Sequence, residues 1–471
     1  MINLSIHDFA FWLCAFFLLG VLLISLLNNF IAVILINAII FLTLLVFKQY
    51  NFLLLILFIL VGSGYYEAAN YFQEKINLPF DQKQELKGVV VRLEQSAAKQ
   101  ELVLNLEEPY RGKIKINARR YPGFEYGDSV RVIGVIKKPP LISENYYKKE
   151  GISGLINFPA IELLEKEQGN FIKASLLDFK EKIVGTFKKF LPQEKAALLA
   201  GLTLGAREDF SKELQEKMSL SGTTHLVALS GYNISVISIT IASLFGLFLS
   251  RSVSFYASVL VIILFVLMTG GEASVVRAAI MGIIAIMAKE SERIFSIRNA
   301  IIIAAFLMVL ANPKVLVFDL GFQLSFFALL GIVYLLPVLE KLFKIKSPGV
   351  LKWKENTLTT LSAQLAVIPF LLGAFGKFSV FSLVSNVLIA EAIPITMALG
   401  FLMAGLGLIS DFLASITALA VNLFLIYELW IIDLFSQFTL PVASESFSFL
   451  AAVIYYLLLI GVVYALNWKL K

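Results

Sequence analysis

Five side chains able to hold charge or trade hydrogen bonds stand inside otherwise aliphatic and aromatic stretches: Arg277, Asp319, Gln323, Gln364 and Asn386. An arginine in hydrocarbon is costly unless it faces water or a partner, so it marks a functional site by default. A route for a long polyanion needs weak, repeated polar contacts, because dense positive charge would trap the strand. Sugar and peptide carriers have similar linings, and a structural pair of Arg277 with Glu272 or Asp319 is the plain alternative. Asp319 and Gln323, four residues apart, are expected on one helix face. A second group lies in Ser221-Gly222-Thr223-Thr224-His225 through Ser235, where His225, Ser230, Gly231 and Asn233 fall in or beside an apolar run. Glycine followed by polar groups predicts a broken helix beside a cavity. The alternative is an intact helix whose Ser and Asn bond its neighbours.

Other chemistries lack material. The chain has two histidines and one cysteine, Cys14, and contains no His-x-His-x-Asp-His run, Cys-x-x-Cys or phosphate-cradling Gly-rich loop. No metal, no cofactor and no catalytic set are expected, and the chain is read as a non-enzyme. A third group, Lys113, Lys115, Arg119, Arg120 and Arg131, could meet phosphates, with Tyr110, Tyr121, Phe124 and Tyr126 interleaved for base stacking.

The elements that must position these groups follow from hydropathy. Of 471 residues, 58% are hydrophobic and 16% charged, well short of the roughly 25% charge that covers a soluble domain. Apolar runs Phe9–Leu27, Phe30–Phe47 and Asn51–Tyr66 are each about long enough to cross roughly 30 Å of hydrocarbon. They give an N-terminal region of three helices, residues 1–77. Residues 78–166 are polar and alternating, with strands expected at Leu86–Glu94, Glu101–Glu107, Lys113–Ala118, Ser129–Ile136 and Gly154–Leu164. Five short strands suit a small OB-type barrel. Residues 167–193 hold an amphipathic helix with a lysine-rich back, suited to a membrane interface. Residues 194–471 return to the bilayer with nine expected spans from Thr223–Leu249 to Phe447–Leu466, and the short run Ala196–Leu204 reads as re-entrant. The class is a polytopic α-helical membrane protein of about 11–12 spans with a small extracytoplasmic β-barrel. No Lys or Arg precedes Lys48, and with a cytoplasmic N-terminus the basic loops at Arg251, Lys289–Arg298, Lys341–Lys354 and the C-terminal Lys469 and Lys471 all fall inside, as the positive-inside rule prefers. Both termini are then cytoplasmic and the β-domain outside, in the cytoplasmic (inner) membrane.

The segment Leu198-Leu199-Ala200-Gly201-Leu202-Thr203-Leu204-Gly205, then Ser221-Gly222-Thr223-Thr224-His225-Leu226-Val227-Ala228-Leu229-Ser230-Gly231, resembles the core signature of the ComEC family of competence proteins. Ala273-Ser274-Val275-Val276-Arg277-Ala278 is similar to its Pro-Ser-Val-x-Arg-Ala element, and Gly321–Phe326, Ser362-Ala363-Gln364-Leu365 and Asn386 continue the match in order. Gly231-Tyr232-Asn233-Ile234 departs from the family's Gly-Leu-His-Val. The resemblance implies a channel for single-stranded DNA during natural transformation. Membrane lipid, a DNA receptor, a separate nuclease and a cytoplasmic motor or single-strand-binding protein are its implied partners. Many members carry a C-terminal metallo-β-lactamase-like domain, with no counterpart expected here. The rival functions are a small-solute or lipid-linked saccharide transporter and a membrane-anchored DNA receptor without a pore.

Overall fold

The computed structural model describes residues 6–48, 53–74, 78–95, 99–140, 143–207, 209–227, 229, 231, 233–234, 237, 245–290, 296–343, 353–375, 379, 381–438 and 448–469. The chain divides into two units, the first Met1–Asp178, Ala242–Met268 and Val276–Asp319, the second Phe179–Ile241, Thr269–Val275 and Leu320–Lys471.

In the first unit, α1 (Ile6–Leu27), α2 (Phe30–Val46) and α3 (Leu53–Glu74) open the chain. Small residues let α1 and α3 cross backbone to backbone. A Cβ on Gly20 would lie 2.0 Å from the Ile59 carbonyl oxygen, and one on Gly62 would lie 2.2 Å from that of Phe17. Ser63 Oγ donates across the same crossing to the Gly20 carbonyl at 2.9 Å. Membrane helices associate through this kind of close packing because lipid supplies no hydrophobic drive.

The β-domain contains β1 (Lys83–Gln95), β2 (Lys99–Leu106), β3 (Lys113–Arg119), β4 (Ser129–Val135), β5 (Ile152–Asn157) and β6 (Ala160–Glu165), with α4 (Glu144–Glu150) before β5. They form one six-stranded mixed sheet in the order β5-β3-β2-β1-β4-β6. Alternation sends Leu86, Val90, Leu102, Leu104, Ile114, Ile116, Val130 and Val132 into a dry core. The expected strand Gly154–Leu164 is two strands, because Phe158, at φ 49°, and Pro159 interrupt it. The first unit also includes α8 (Arg251–Met268), α10 (Ile297–Ala311) and the single turn α11 (Val315–Phe318), while α9 (Ala273–Glu290) carries Arg277.

In the second unit, α6 (Gln193–Leu204), which follows α5 (Phe171–Phe190), and α7 (Lys212–Ser221) precede the signature turn. Later come α12 (Leu320–Tyr334), α13 (Leu336–Leu342), α14 (Trp353–Phe375), α15 (Ser382–Ala390), α16 (Ile393–Gly407), α17 (Asp411–Gln437) and α18 (Phe449–Lys469). The expected continuous span Phe381–Ile409 is a bent pair, α15 and α16, turned by 48°. At the two ends of α17, Asp411 binds Lys189 of α5 at 2.6 Å and Asp433 binds Lys217 of α7 at 2.8 Å. Among the described residues six helices are long and apolar enough to cross a membrane, or seven if the bent pair is one span, and three shorter apolar helices accompany them.

Pro369 inside α14 has no N–H, so the Leu365 carbonyl loses its helical donor. Tyr455 of α18 supplies the missing hydrogen, its hydroxyl donating to that carbonyl at 2.7 Å, and Tyr456 adds a bond to the Ala366 carbonyl at 2.8 Å. A backbone group left unbonded in hydrocarbon is expensive. Tyr455→Phe is therefore expected to destabilise the purified protein by about 1–3 kcal/mol, and Tyr456→Phe by less, since Ala366 keeps its helical donor. Thermal unfolding in detergent measures both.

Candidate functional site

The polar groups of the second unit gather where α7 ends. Ser211 caps the helix N-terminus through the Leu214 amide at 3.1 Å. Gly222 ends it at φ 72°, a conformation that L side chains rarely adopt. The left-handed turn lets the Gly222 and Thr223 amides close on the Ser219 and Met218 carbonyls. It also leaves the Ser221 and Gly222 carbonyls facing α15. Ser385 Oγ donates to the Ser221 carbonyl at 2.8 Å, and Asn386 Nδ2 to the Gly222 carbonyl at 3.5 Å. Gln364 Nε2 donates to Ser382 Oγ at 3.1 Å. Asn386 is 4% exposed, and among the described residues its Oδ1 has no hydrogen-bond partner. A buried amide with one satisfied end is uncommon in a packed interior.

The remaining sequence candidates separate into accessible and buried groups. His225 lies on an exposed position of the 3-10 turn Thr224–Leu226 that follows Gly222. Gly231, Gln323 and Gln364 are half-buried. Asn233 is buried and donates to the Leu202 carbonyl at 3.4 Å. Ser230 lies outside the described residues. Ser274, at the start of α9, donates to the Leu229 carbonyl at 2.7 Å. In the first unit Arg277 is 9% exposed in α9.

One expectation about Asp319 is corrected. Asp319 does not share a helix face with Gln323, because it caps α11 in extended backbone, φ −104° and ψ 101°, and α12 begins only at Leu320. Its carboxylate, 10% exposed, binds Lys149 of α4 at 3.2 Å, and Asn312 Nδ2 donates to the Lys149 carbonyl at 3.0 Å. Burial alone would lower the Lys149 ammonium, but Asp319 and Glu150 raise it above the ordinary lysine value. Glu272 binds Arg207 at 3.0 Å.

On the β-domain, period-two alternation puts Lys113, Lys115 and Arg119 on one face of β3. The neighbours then divide them. Lys115 is 15% exposed, binds Glu101 at 2.5 Å and lies over the Tyr146 and Tyr147 rings. Burial would raise the Glu101 carboxyl, but hydrogen bonds from Lys115 and Lys99 hold it below the usual carboxylate range. Arg131 is on β4, with two strands between it and β3, and binds Glu85 and Glu162 at 3.2 Å each. Phe124, expected as a stacking surface, is a core residue at 2% exposure, and Tyr110 packs against that core. Lys113, Arg119, Arg120 and Tyr121 remain exposed, Tyr121 by 78%, with the Arg120 guanidinium 5.8 Å from the Tyr121 ring.

Sequence reasoning missed Lys173 of α5 and Arg92 of β1 as companions of this surface. The Lys173 ammonium sits 4.7 Å from the centre of the Tyr126 ring and donates to the Val91 carbonyl at 3.0 Å. Burial, then the charges of Lys113 and Arg92, push it below the ordinary lysine value. Arg92 is balanced by Glu94 at 2.8 Å and Glu150 at 3.4 Å, so Lys173 and Lys113 are the cations here that would welcome an anion. The charge pattern of α5 holds no signal for this, because the grouping depends on how the sheet folds against residues 170–173.

Among the described residues no group of three or more His, Cys, Asp or Glu could hold a metal ion. A family model described as Competence protein matches residues 202–469. The ComE operon protein 3 of Bacillus subtilis (strain 168) is 28% identical over 226 residues, which is 47% of this chain and 28% of that relative, so the match spans under a third of the curated relative's length. No solved structure matches the chain. The family match takes in Gly222, Gln364, Ser385 and Asn386 and covers more than half of the 471 residues, so the chain belongs to the ComEC-type competence protein family and is an integral membrane protein.

Proposed function

We propose that the protein is a channel for single-stranded DNA across the cytoplasmic membrane during natural transformation, without catalysis of its own. The observation that carries this is the coincidence of the family match with a polar seam in apolar helices: Gln364 bonded to Ser382, and Ser385 and Asn386 bonded to the carbonyls of Ser221 and Gly222. Uncharged donors suit a sliding polyanion, which needs contacts that form and release. Asn386 Oδ1 lacks a partner among the described residues and has spare capacity for one.

The β-domain is read as an OB-type barrel on the outer face, with both termini cytoplasmic. Its strand order and the Lys137–Leu155 bridge between the end of β4 and β5 support that closure. Lys113, Lys173, Arg119, Arg120, Tyr121 and Tyr126 form its DNA-facing surface, and Lys115 and Arg131 serve as structural ion pairs. A DNA receptor, a separate nuclease and a cytoplasmic motor or single-strand-binding protein complete the route, with membrane lipid around the helices.

Deleting the gene is expected to abolish entry of labelled transforming DNA into the cytoplasm while surface binding persists; unchanged entry defeats the proposal. Replacing Arg119 and Arg120 together by Glu is expected to lower entry at least tenfold with the protein still at wild-type level in the membrane. Electrostatic phosphate contacts are strongly salt-dependent, so DNA binding by the purified variant should also lose part of its salt slope.

A further inference from the structure

Glu428 lies within α17, a 27-residue apolar helix, and is 1% exposed. Its Oε1 is 2.6 Å from Thr396 Oγ1 on α16, and its Oε2 has no hydrogen-bond partner among the described residues. Thr396 Oγ1 also lies 3.1 Å from the Ala392 carbonyl, the acceptor one helical turn back. A hydroxyl has one hydrogen and two lone pairs. If that hydrogen goes to Ala392, which can only accept, the short contact to Glu428 needs a hydrogen from the carboxyl. A protonated Glu428 donating to Thr396 satisfies all three groups at once.

An ionised Glu428 would have the Thr396 hydroxyl alone as donor to Oε1 and would leave Oε2 bare among the described residues. The amides at the start of α16 that could receive it are spent: Ala392 on the Ile389 carbonyl at 2.9 Å, and Ile395 and Thr396 on the Ala392 carbonyl at 3.0 and 2.9 Å. Several charged groups on the elements packed against α17 are engaged elsewhere. Lys217 of α7 binds Asp433 and Glu213, Lys195 of α6 binds Asn422, and Glu391 beside α15 accepts from Asn356. Neither α16 nor α15 contains a charged residue. A bare carboxylate among such neighbours is far costlier than its neutral acid.

We propose that Glu428 is a proton-binding site inside the membrane domain, holding its proton while α16 and α17 are in contact and releasing it to water only when that contact parts. The exchange balances simply: the O–H bond of the acid breaks, the electron pair stays on the carboxylate, and water takes the proton. Low pH favours the closed contact and rising pH favours the open one. α17 is tied to α7, the helix that ends at Gly222, through Asp433 and Lys217, which links the helix holding the proton to the helix that leads into the polar seam.

Infrared spectroscopy of the full chain in liposomes tests the proton. At neutral pH the spectrum is expected to contain a carbonyl stretch of a protonated carboxylic acid that disappears in Glu428→Gln, a neutral replacement of the same shape. In Thr396→Val the band should persist at higher frequency, because the acid has lost its acceptor. Absence of a band sensitive to either variant overturns the assignment. Parting of the contact is read by maleimide labelling of Ile393→Cys, a position 4% exposed, in a Cys14→Ala background. The exposed Glu108→Cys corrects for thiol ionisation. Linkage of one proton to opening predicts a corrected rate that rises by up to about tenfold per pH unit on the alkaline side. Adding Glu428→Gln should make that rate flat. A flat profile in the parent, or the same slope in both, removes the coupling.

Discussion

Gly222→Ala is expected to destabilise the protein by about 2–5 kcal/mol and to reduce DNA entry in proportion to the folded protein lost. The sum has two parts. An L side chain at φ 72° costs about 1–2 kcal/mol. The new Cβ would also lie 2.3 Å from Ser382 Cβ and 3.2 Å from Ser382 Cα, and overpacking of this kind costs about 1–3 kcal/mol. Neither atom is the end of a flexible side chain, so α15 itself must retreat, breaking the bonds from Ser385 and Asn386. Gly205→Ala separates the two terms. That residue has nearly the same φ, 67°, but its Cβ would meet only the Leu229 side chain at 3.1 Å, which can swing aside. Gly205→Ala should therefore lose about 1–2 kcal/mol. Equal losses in the two variants would show that the α15 contact contributes nothing.

The second large effect is expected at Asp319. Asp319→Ala removes the partner of a three-quarters-buried Lys149 and should cost about 2–4 kcal/mol, somewhat less than a fully buried pair because part of the ammonium stays wet. Glu150, 3.1 Å from Lys149, takes up part of the charge. Replacing both partners together by Leu and Met should recover most of the loss, since an apolar pair of similar volume pays no desolvation. Thermal unfolding of Asp319→Leu, Lys149→Met and the double variant closes the cycle. An additive double variant would mean that the 3.2 Å contact carries no coupling energy.

The sequence carried much of this architecture in plain form. Hydropathy marked the helical regions, and alternation in Lys113-Ile114-Lys115-Ile116 marked β3. The motif resemblance pointed to Ser221–Gly222 and Asn386, which are separated by 164 residues and meet in one hydrogen bond. Local rules failed where tertiary partners decide. Asp319 and Gln323 have helical spacing, but nothing in Phe318-Asp319-Leu320 announces that the carboxylate will leave the helix to meet Lys149. Phe124 looked like a stacking ring because it stands among tyrosines, yet it fills the sheet core while Tyr121 points out. Lys115 and Arg131 counted as free cations until Glu101, Glu85 and Glu162 were placed beside them. Glu428 and Asp433 stand five residues apart in one apolar run, and nothing in their spacing announces that the first is buried while the second meets Lys217.

The ion pairs at the two ends of α17 have a consequence for the lipid. Asp411 and Asp433 are 22 residues apart, so at 1.5 Å per residue they stand about 33 Å from each other along the axis, close to the thickness of a bilayer's oily layer. Each is clasped by a lysine from a different helix, Lys189 and Lys217, so the protein carries its own gauge of hydrophobic thickness. A membrane several ångströms thicker would draw one clasp below the headgroups or tilt the helix, and acyl-chain length thereby becomes a mechanical input to the contact that shelters Glu428.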